Sequence, residues 1–151
     1  MPQISLSGQD TVQLAGRNFT AFCDGDFASL TYPNESVAMK TGKNGNTIYA
    51  LDFRGQNGDF ALRLIRGSQD DKFLLAQYTA QQTDFPSFTL ISGQYVKRVG
   101  QGNGVVVNDT QKLFGGIIAK RVEAKSNAEG ETEQSLAIWH LKFSDAERAI
   151  M

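Results

Sequence analysis

Gln134-Ser135-Leu136-Ala137-Ile138-Trp139-His140-Leu141-Lys142-Phe143 alternates with period two. Ala137, Trp139, Leu141 and Phe143 fall on one side, and Ile138, His140 and Lys142 on the other. A pleated strand sends successive side chains to opposite faces, so the pattern predicts a strand with one buried face and Trp139 as a core anchor. The same period runs through two segments upstream. Tyr49, Leu51 and Phe53 share a face within Thr47–Phe53, and Phe60, Leu62 and Leu64 share one within Phe60–Ile65. Only Arg54-Gly55-Gln56-Asn57-Gly58-Asp59 separates these two, so they are expected to pair as a hairpin.

Strand texture extends to most of the chain. Val12 and Leu14 alternate with polar neighbours, Ala15-Gly16-Arg17-Asn18 reads as a turn, and Phe19–Phe22 is apolar again. Phe27–Tyr32 is a further strand. Ser87–Val99 reads as a long one, with Gly93 as a bulge. Gly100–Gly104 is a turn, and Val105–Val107 and Leu113–Ala124 are two more strands, the second kinked at Gly115-Gly116. One helix interrupts this series, at about 68–82. Ser68-Gln69-Asp70-Asp71 has the form of a capping box, with both carboxylates at the positive end of the helix dipole. Phe73, Leu74 and Tyr78 give an apolar stripe, and Asp84-Phe85-Pro86 stops it. The expected fold class is mainly β: an antiparallel β-sandwich or partly closed barrel with one flanking α-helix. Residues 1–10 are expected to form an N-terminal arm, and 11–151 a single β domain.

Composition narrows the function. The chain has 151 residues, 40% of them hydrophobic and 21% charged, in the range of one globular domain. Fifteen Lys and Arg face 16 Asp and Glu, a net charge of −1. Binding through phosphates needs a cationic surplus, so a dedicated nucleic-acid binder is not expected. Cys23 is the only cysteine and His140 the only histidine. Internal disulfides and the usual thiolate or imidazole zinc sets are thereby excluded. Met1-Pro2-Gln3-Ile4 has none of the regions of a signal peptide, and no apolar run reaches the length of a spanning helix, so a protein of the cell interior, or of a particle assembled there, is expected.

The chemical motifs dissolve on inspection. Gly100-Gln101-Gly102-Asn103-Gly104 is followed by Val105-Val106-Val107, a strand, whereas a dinucleotide fingerprint must open a helix. Gly42-Lys43-Asn44 resembles the end of a Walker loop, but Val37 stands where its first glycine belongs and Asn44 replaces the magnesium ligand. His140 has Ile138 and Lys142 as its same-face neighbours, and no Gly-x-Ser-x-Gly elbow supplies a nucleophile. Cys23 has no activating neighbours. Asp70 and Asp71 are accounted for by helix capping, and Glu129, Glu131 and Glu133 by a solvated turn. The chain reads as a non-enzyme with no cofactor and no metal.

Two features point to assembly. Residues 34–46 form a loop rich in Gly, Asn and Lys, longer than a hairpin turn. The three prolines, Pro2, Pro33 and Pro86, all lie outside the expected strands, and Lys97, Arg98, Lys120 and Arg121 are expected to give the sheet edges some protection. Open edges joined head-to-tail can close identical subunits into a ring.

Three stretches carry a resemblance. Lys40-Thr41-Gly42-Lys43-Asn44-Gly45-Asn46-Thr47-Ile48-Tyr49-Ala50, Leu64–Leu74 and Val122–Ser135, taken with the order of elements over nearly the whole chain, resemble the tail tube proteins of contractile-tailed bacteriophages. Those are similar to the inner-tube proteins of type VI secretion and related contractile injection systems. The resemblance implies hexameric rings whose sheets join into a continuous barrel, stacked into a tube inside a contractile sheath. The tube would conduct double-stranded DNA into the host without binding it specifically. It implies a virion protein assembled in the bacterial cytoplasm, with tail sheath, baseplate and tail terminator proteins as partners. By this analogy the loop 34–46 makes inter-ring contacts through Lys40, Lys43, Asn44 and Asn46. The hairpins 47–66 and 113–143, with 87–99, supply the channel sheet, and the helix lies behind it. A channel wall that lets a polyanion slide should be neutral or acidic, which puts Arg54, Arg63 and Arg66 in tension with a place in it, unless they face other subunits or pair with Asp52, Asp59 and Glu123. A monomeric β-sandwich binding carbohydrate or a receptor through Tyr32, Tyr49, Tyr78 or Tyr95 is the alternative of another class. A baseplate tube initiator or tail terminator is the alternative of the same style.

Overall fold

The computed structural model describes residues 3–8, 10–22, 26–52, 56–123, 126, 128 and 135–150. The strands are β1 (Ser5–Leu6), β2 (Thr11–Leu14), β3 (Arg17–Phe19), β4 (Ala28–Thr31), β5 (Val37–Thr41), β6 (Thr47–Leu51), β7 (Gly58–Ile65), β8 (Ile91–Gly100), β9 (Val106–Lys120) and β10 (Leu136–Ile150). The helix α1 spans Gln69–Thr83, between β7 and β8. The fold is mainly β, an antiparallel sheet curled into a half-barrel with one helix.

Period two governs the core. β7 and the first half of β10 pair in register, Phe60 with Leu141, Leu62 with Trp139 and Leu64 with Ala137. All six side chains are buried. Ile138, His140 and Lys142 point to the opposite, outer face. The eight-stranded sheet runs β3-β2-β8-β9-β10-β7-β4, with β1 also on β8. Its inner face is filled by Val12, Leu14, Phe19, Ile91, Leu113 and Ile118 together with the β7 and β10 residues, and Leu74 of α1 inserts among them. Gly93 lets β2 come close, since a Cβ there would overlap the main chain of Gln13. The register shifts between Ile91 and Gly93, the bulge expected at that glycine. Gly115, at φ +65°, marks the expected kink in β9.

Polar residues on the buried side of α1 join the helix to the sheet. Ser68 caps the helix, its hydroxyl accepting from the Asp71 N–H at 3.2 Å. Asp71 accepts from the Gly67 N–H and from Trp139 Nε1, each at 2.9 Å. Asp70 does not serve the cap. It is 2% exposed and accepts from the main-chain N–H of Thr20 at 2.9 Å and Ala21 at 2.8 Å, and from Arg17 Nε at 2.9 Å. The Ala21 carbonyl in turn accepts from the Ile65 N–H at 3.0 Å, and Phe22 bridges to Leu64. Asp70 thus holds the segment that carries the chain from β3 back to β7, and this segment narrows the open side of the half-barrel.

Gln81 completes the sheet where a strand is missing. The pairing of β8 with β9 stops at Ile91 opposite Gly116. Two residues on, the Ile118 N–H donates to Gln81 Oε1 and Gln81 Nε2 donates to the Ile118 carbonyl, both at 3.0 Å and both buried. A primary amide presents the donor and acceptor that a neighbouring strand would offer. Gln81→Leu keeps the volume and removes both bonds. Two buried main-chain groups then lack partners, at about 1–3 kcal/mol each. Urea unfolding is expected to show a loss of about 2–6 kcal/mol with an unchanged slope.

Four expectations are corrected. Residues 34–46 are not one long loop: Val37–Thr41 is strand β5, and it pairs with β6 from Val37–Leu51 to Thr41–Thr47 as a separate two-stranded sheet. Consequently 47–53 and 60–65 are not hairpin partners. β7 pairs with β10 and β4 because its apolar face enters the core, whereas every residue of β6 is exposed. The strand expected from Ser87 starts at Ile91, after a short 3-10 turn at Phe85–Ser87. Finally, Val105–Val107 and Leu113–Ala124 are not separate strands: β9 is continuous from Val106 to Lys120, and β10 continues past Phe143 to Ile150. The polar run Asp109–Lys112 is held by ladders on both sides, to β8 and to β10, and pairing outweighs composition there.

Candidate assembly surfaces

The first surface is a strand edge. β10 pairs with β7 only over Leu136–Phe143, because β7 begins at Gly58 opposite Phe143. Its second half pairs with β9 alone, from Asp145 opposite Phe114 to Ile150 opposite Asp109. Among the described residues no strand lies on the other side of Ser144–Ile150. An antiparallel strand directs half of its main-chain groups to each side, so this edge presents unpaired donors and acceptors. Arg148 holds Asp109 through two bonds of 2.9 and 2.7 Å. The bond from Arg148, working against burial, keeps the Asp109 carboxyl below its usual range. Asp145, Glu147 and Arg148 put some charge on this edge, but it carries no proline and no lysine to blunt it. The cations expected to do so stand elsewhere. Lys97 and Arg98 lie on β8, and Lys97 is bound to Asp10 at 3.2 Å; Lys120 ends β9 opposite His140.

The second surface is the β5–β6 hairpin. Val37, Met39 and Thr41 lie on the same face as Leu51, Tyr49 and Thr47 across from them. Met39, Tyr49 and Leu51 are each about two-thirds exposed, as is Ile48 on the other face. The turn is tightened by Gly42 N–H donating to the Asn46 carbonyl at 2.7 Å and Gly45 N–H to the Gly42 carbonyl at 3.0 Å, and Gly45 takes φ +82°. Of the residues expected to make contacts, Lys43, Asn44 and Asn46 lie in this turn, while Lys40 sits on β5 opposite Ile48. The structure brings all four onto one projecting element. The alternation of Tyr49 and Leu51 was legible in the sequence, but their shared face is exposed rather than buried, and Met39 across from Tyr49 was not singled out. The signal was the near-symmetry of Thr41 and Thr47 about the Gly-Lys-Asn-Gly-Asn turn.

The third surface is the outer face of the sheet. Arg63 is opposite Ile138, His140 opposite Ala61 and Lys120, and Lys142 opposite Asp59 and Ile117. Arg66 donates to the carbonyls of Glu123 and Leu136 at 2.9 and 3.0 Å. Arg63 Nε is buried with no hydrogen-bond acceptor. Arg54, Cys23, Glu129, Glu131 and Glu133 lie outside the described residues. Three of the four tyrosines are engaged: Tyr32 donates to Gln111 Oε1 at 2.6 Å, Tyr78 accepts from Arg121 Nε at 2.8 Å, and Tyr95 packs edge-on against Phe60. Tyr49 lies on β6, in the separate two-stranded sheet.

No protein-family model matches the chain, and no curated protein matches its sequence.

Proposed function

We propose that this protein is a structural subunit of a contractile-phage tail tube, forming hexameric rings that stack into the conduit for DNA. The observation that carries this reading is the open second half of β10. A half-barrel with an unpaired, proline-free edge at Ser144–Ile150 is suited to continue its sheet into another copy, and head-to-tail joining closes into a ring. The hairpin supports stacking. A two-stranded sheet is marginal in water by itself, and the Met39, Tyr49 and Leu51 face gains by being covered by an adjacent ring. Lys40, Lys43, Asn44 and Asn46 would supply the polar contacts around it. The engagement of Tyr32, Tyr78 and Tyr95 by partners within the chain weighs against the carbohydrate-binding alternative. A baseplate initiator or tail terminator of the same fold would differ in copy number per particle. In this reading the protein resides in the virion, with sheath, baseplate and terminator proteins as neighbours.

Channel electrostatics need a revision. Arg63, Lys120 and Lys142 share the outer face of the central sheet with Asp59, which stands opposite Lys142, so among the described residues of that region three cations stand against one carboxylate. A lumen that repels phosphate requires another part of the sheet to line it, or carboxylates from neighbours to cover these cations.

Negative-stain microscopy of the purified protein at raised concentration tests the proposal. Rings and stacked tubes are expected; compact monomers under every tube-promoting condition would overturn it. A second measurement separates ring formation from stacking. Met39→Thr with Tyr49→Thr keeps strand-favouring residues at a cross-strand pair and alters only exposed side chains, so the melting temperature should move by no more than about 2 °C. The doubly substituted protein should form single rings and no tubes. Tubes of normal length from it would remove the hairpin from the stacking contact.

A further inference from the structure

At one end of the sheet both flanks are open. β1 and β2 pair with β8 on the side away from β9, β1 at Val99 and Gly100 and β2 from Gly93 to Val96. β3 covers β2 alone, so among the described residues no strand lies outside β1. On the other flank stands the open half of β10. Each step from β1 to β8, β9 and β10 reverses the chain, so β1 runs antiparallel to β10. A ring rotation carries the sheet along itself without reversing it. It therefore sets β1 of one copy antiparallel to β10 of its neighbour, in keeping with every pair in the sheet.

The two edges also agree in the face they present. Leu6 stands opposite Val99, which alternates in step with Tyr95, packed on Phe60 in the core. Ile4, Val99, Val107, Arg148 and Ile150 line one trough of about 750 Å³ at this end of the inner face. Ile4, Leu6 and Ile150 are 71%, 59% and 58% exposed. Joining the edges continues the trough from Ile150 of one copy to Ile4 and Leu6 of the next, and removes apolar surface of all three from water. Gln3–Leu6 carries no charge, so it meets Asp145, Glu147 and Arg148 without like-charge repulsion. The other edges fit less well. β3 runs in the same direction as β10, and the segment leaving it is held by Asp70 and Ile65. β4 lies beyond β7, on the same flank as the open half of β10, so it cannot supply the opposite flank.

We infer that β1 of one copy adds to Ser144–Ile150 of its neighbour, so that a two-residue strand with no buried side chain serves the joint between subunits. This rests on the ring-forming reading above and names the two edges that close the ring.

Cysteine pairs in a full-length Cys23→Ser background test the joint. β1 and β10 of one chain are three strand spacings apart, about 14 Å along the sheet, whereas a disulfide needs Cα atoms within about 7 Å. Only a contact between copies can close the bond. Ile4→Cys or Leu6→Cys is combined with Ala146→Cys or Ile150→Cys, giving proteins that cover register steps of two residues on one face. Oxidised at assembling concentration, at least one pair is expected to give a covalent ladder up to the ring size on a non-reducing gel. Each single-cysteine protein should give nothing above a dimer. Asn18→Cys with Glu147→Cys, which would join β3 to β10, should give no ladder. If the parent assembles and none of the β1 pairs links, or the β3 pair links instead, the β1 joint is overturned and the ring reading stands. A parent that stays monomeric at every concentration overturns both.

Discussion

Asp70→Ala is expected to lower the unfolding free energy by about 3–5 kcal/mol. The carboxylate accepts two main-chain N–H bonds, from Thr20 and Ala21. Bonds to a charged acceptor contribute about 1.5–3 kcal/mol each, and their loss strands the donors. The Arg17 pair adds less, because that side chain is more than a third exposed and water screens it. Arg17→Gln should therefore cost no more than about 1 kcal/mol. The larger loss has a structural consequence. Ala21 also accepts from Ile65, so freeing the 20–21 segment loosens the link between β3 and β7 on the open side of the half-barrel.

The same carboxyl gives a pH signature. Burial pushes its pKa up, but the bonds from Ala21, Thr20 and Arg17 outweigh burial and leave it below the ordinary value. A folded pKa below the unfolded one means that this stabilisation is complete above the unfolded value, about 3.9. It is lost as the pH falls through the folded value. Urea unfolding of the parent and of Asp70→Asn should differ most at neutral pH and converge in acid. A difference that stays constant down to pH 2 would show that Asp70 is not the ionised pin.

Residues whose environment is one-sided were legible in the sequence. The alternation in Phe60–Leu64 and Ala137–Phe143 gave both strands and their buried faces, because one face is wet and the other dry. Ser68 marked the helix start to within one residue, through the hydroxyl that caps it. Legibility failed where neighbours far along the chain decide. Ala146, Glu147, Arg148 and Ala149 are good helix formers, yet the ladder to Thr110–Leu113 makes them strand. Asp70 read as a helix-capping residue and Gln81 drew no reading, and both are buried for their bonds to main chain in other elements. The β5 residues lacked alternation because no core lies on either side of them. For the assembly surfaces, composition revealed the scarcity of prolines, and only the register located the open edge, after Phe143.

Proline in that edge is expected to abolish ring formation while sparing the fold. Successive residues of a strand point their N–H groups to opposite sides, so Ala146 and Ala149, three apart, point to different ones. One donates toward β9 and the other toward the open side. Proline at the first removes a ladder bond and should lower the melting temperature. Proline at the second removes a donor that only a neighbouring copy could use, and edge strands tolerate it. Losing that bond and stranding its acceptor in the neighbour costs about 2–4 kcal/mol at each subunit contact. The concentration needed for assembly should rise about a hundredfold or more. Sedimentation velocity, read beside thermal melts, separates the two variants: the one with parental melting should remain monomeric where the parent assembles. If the protein forms rings and both proline variants assemble at the parental concentration, copies do not meet through β10, and the ring must be built on β3 or β4 instead.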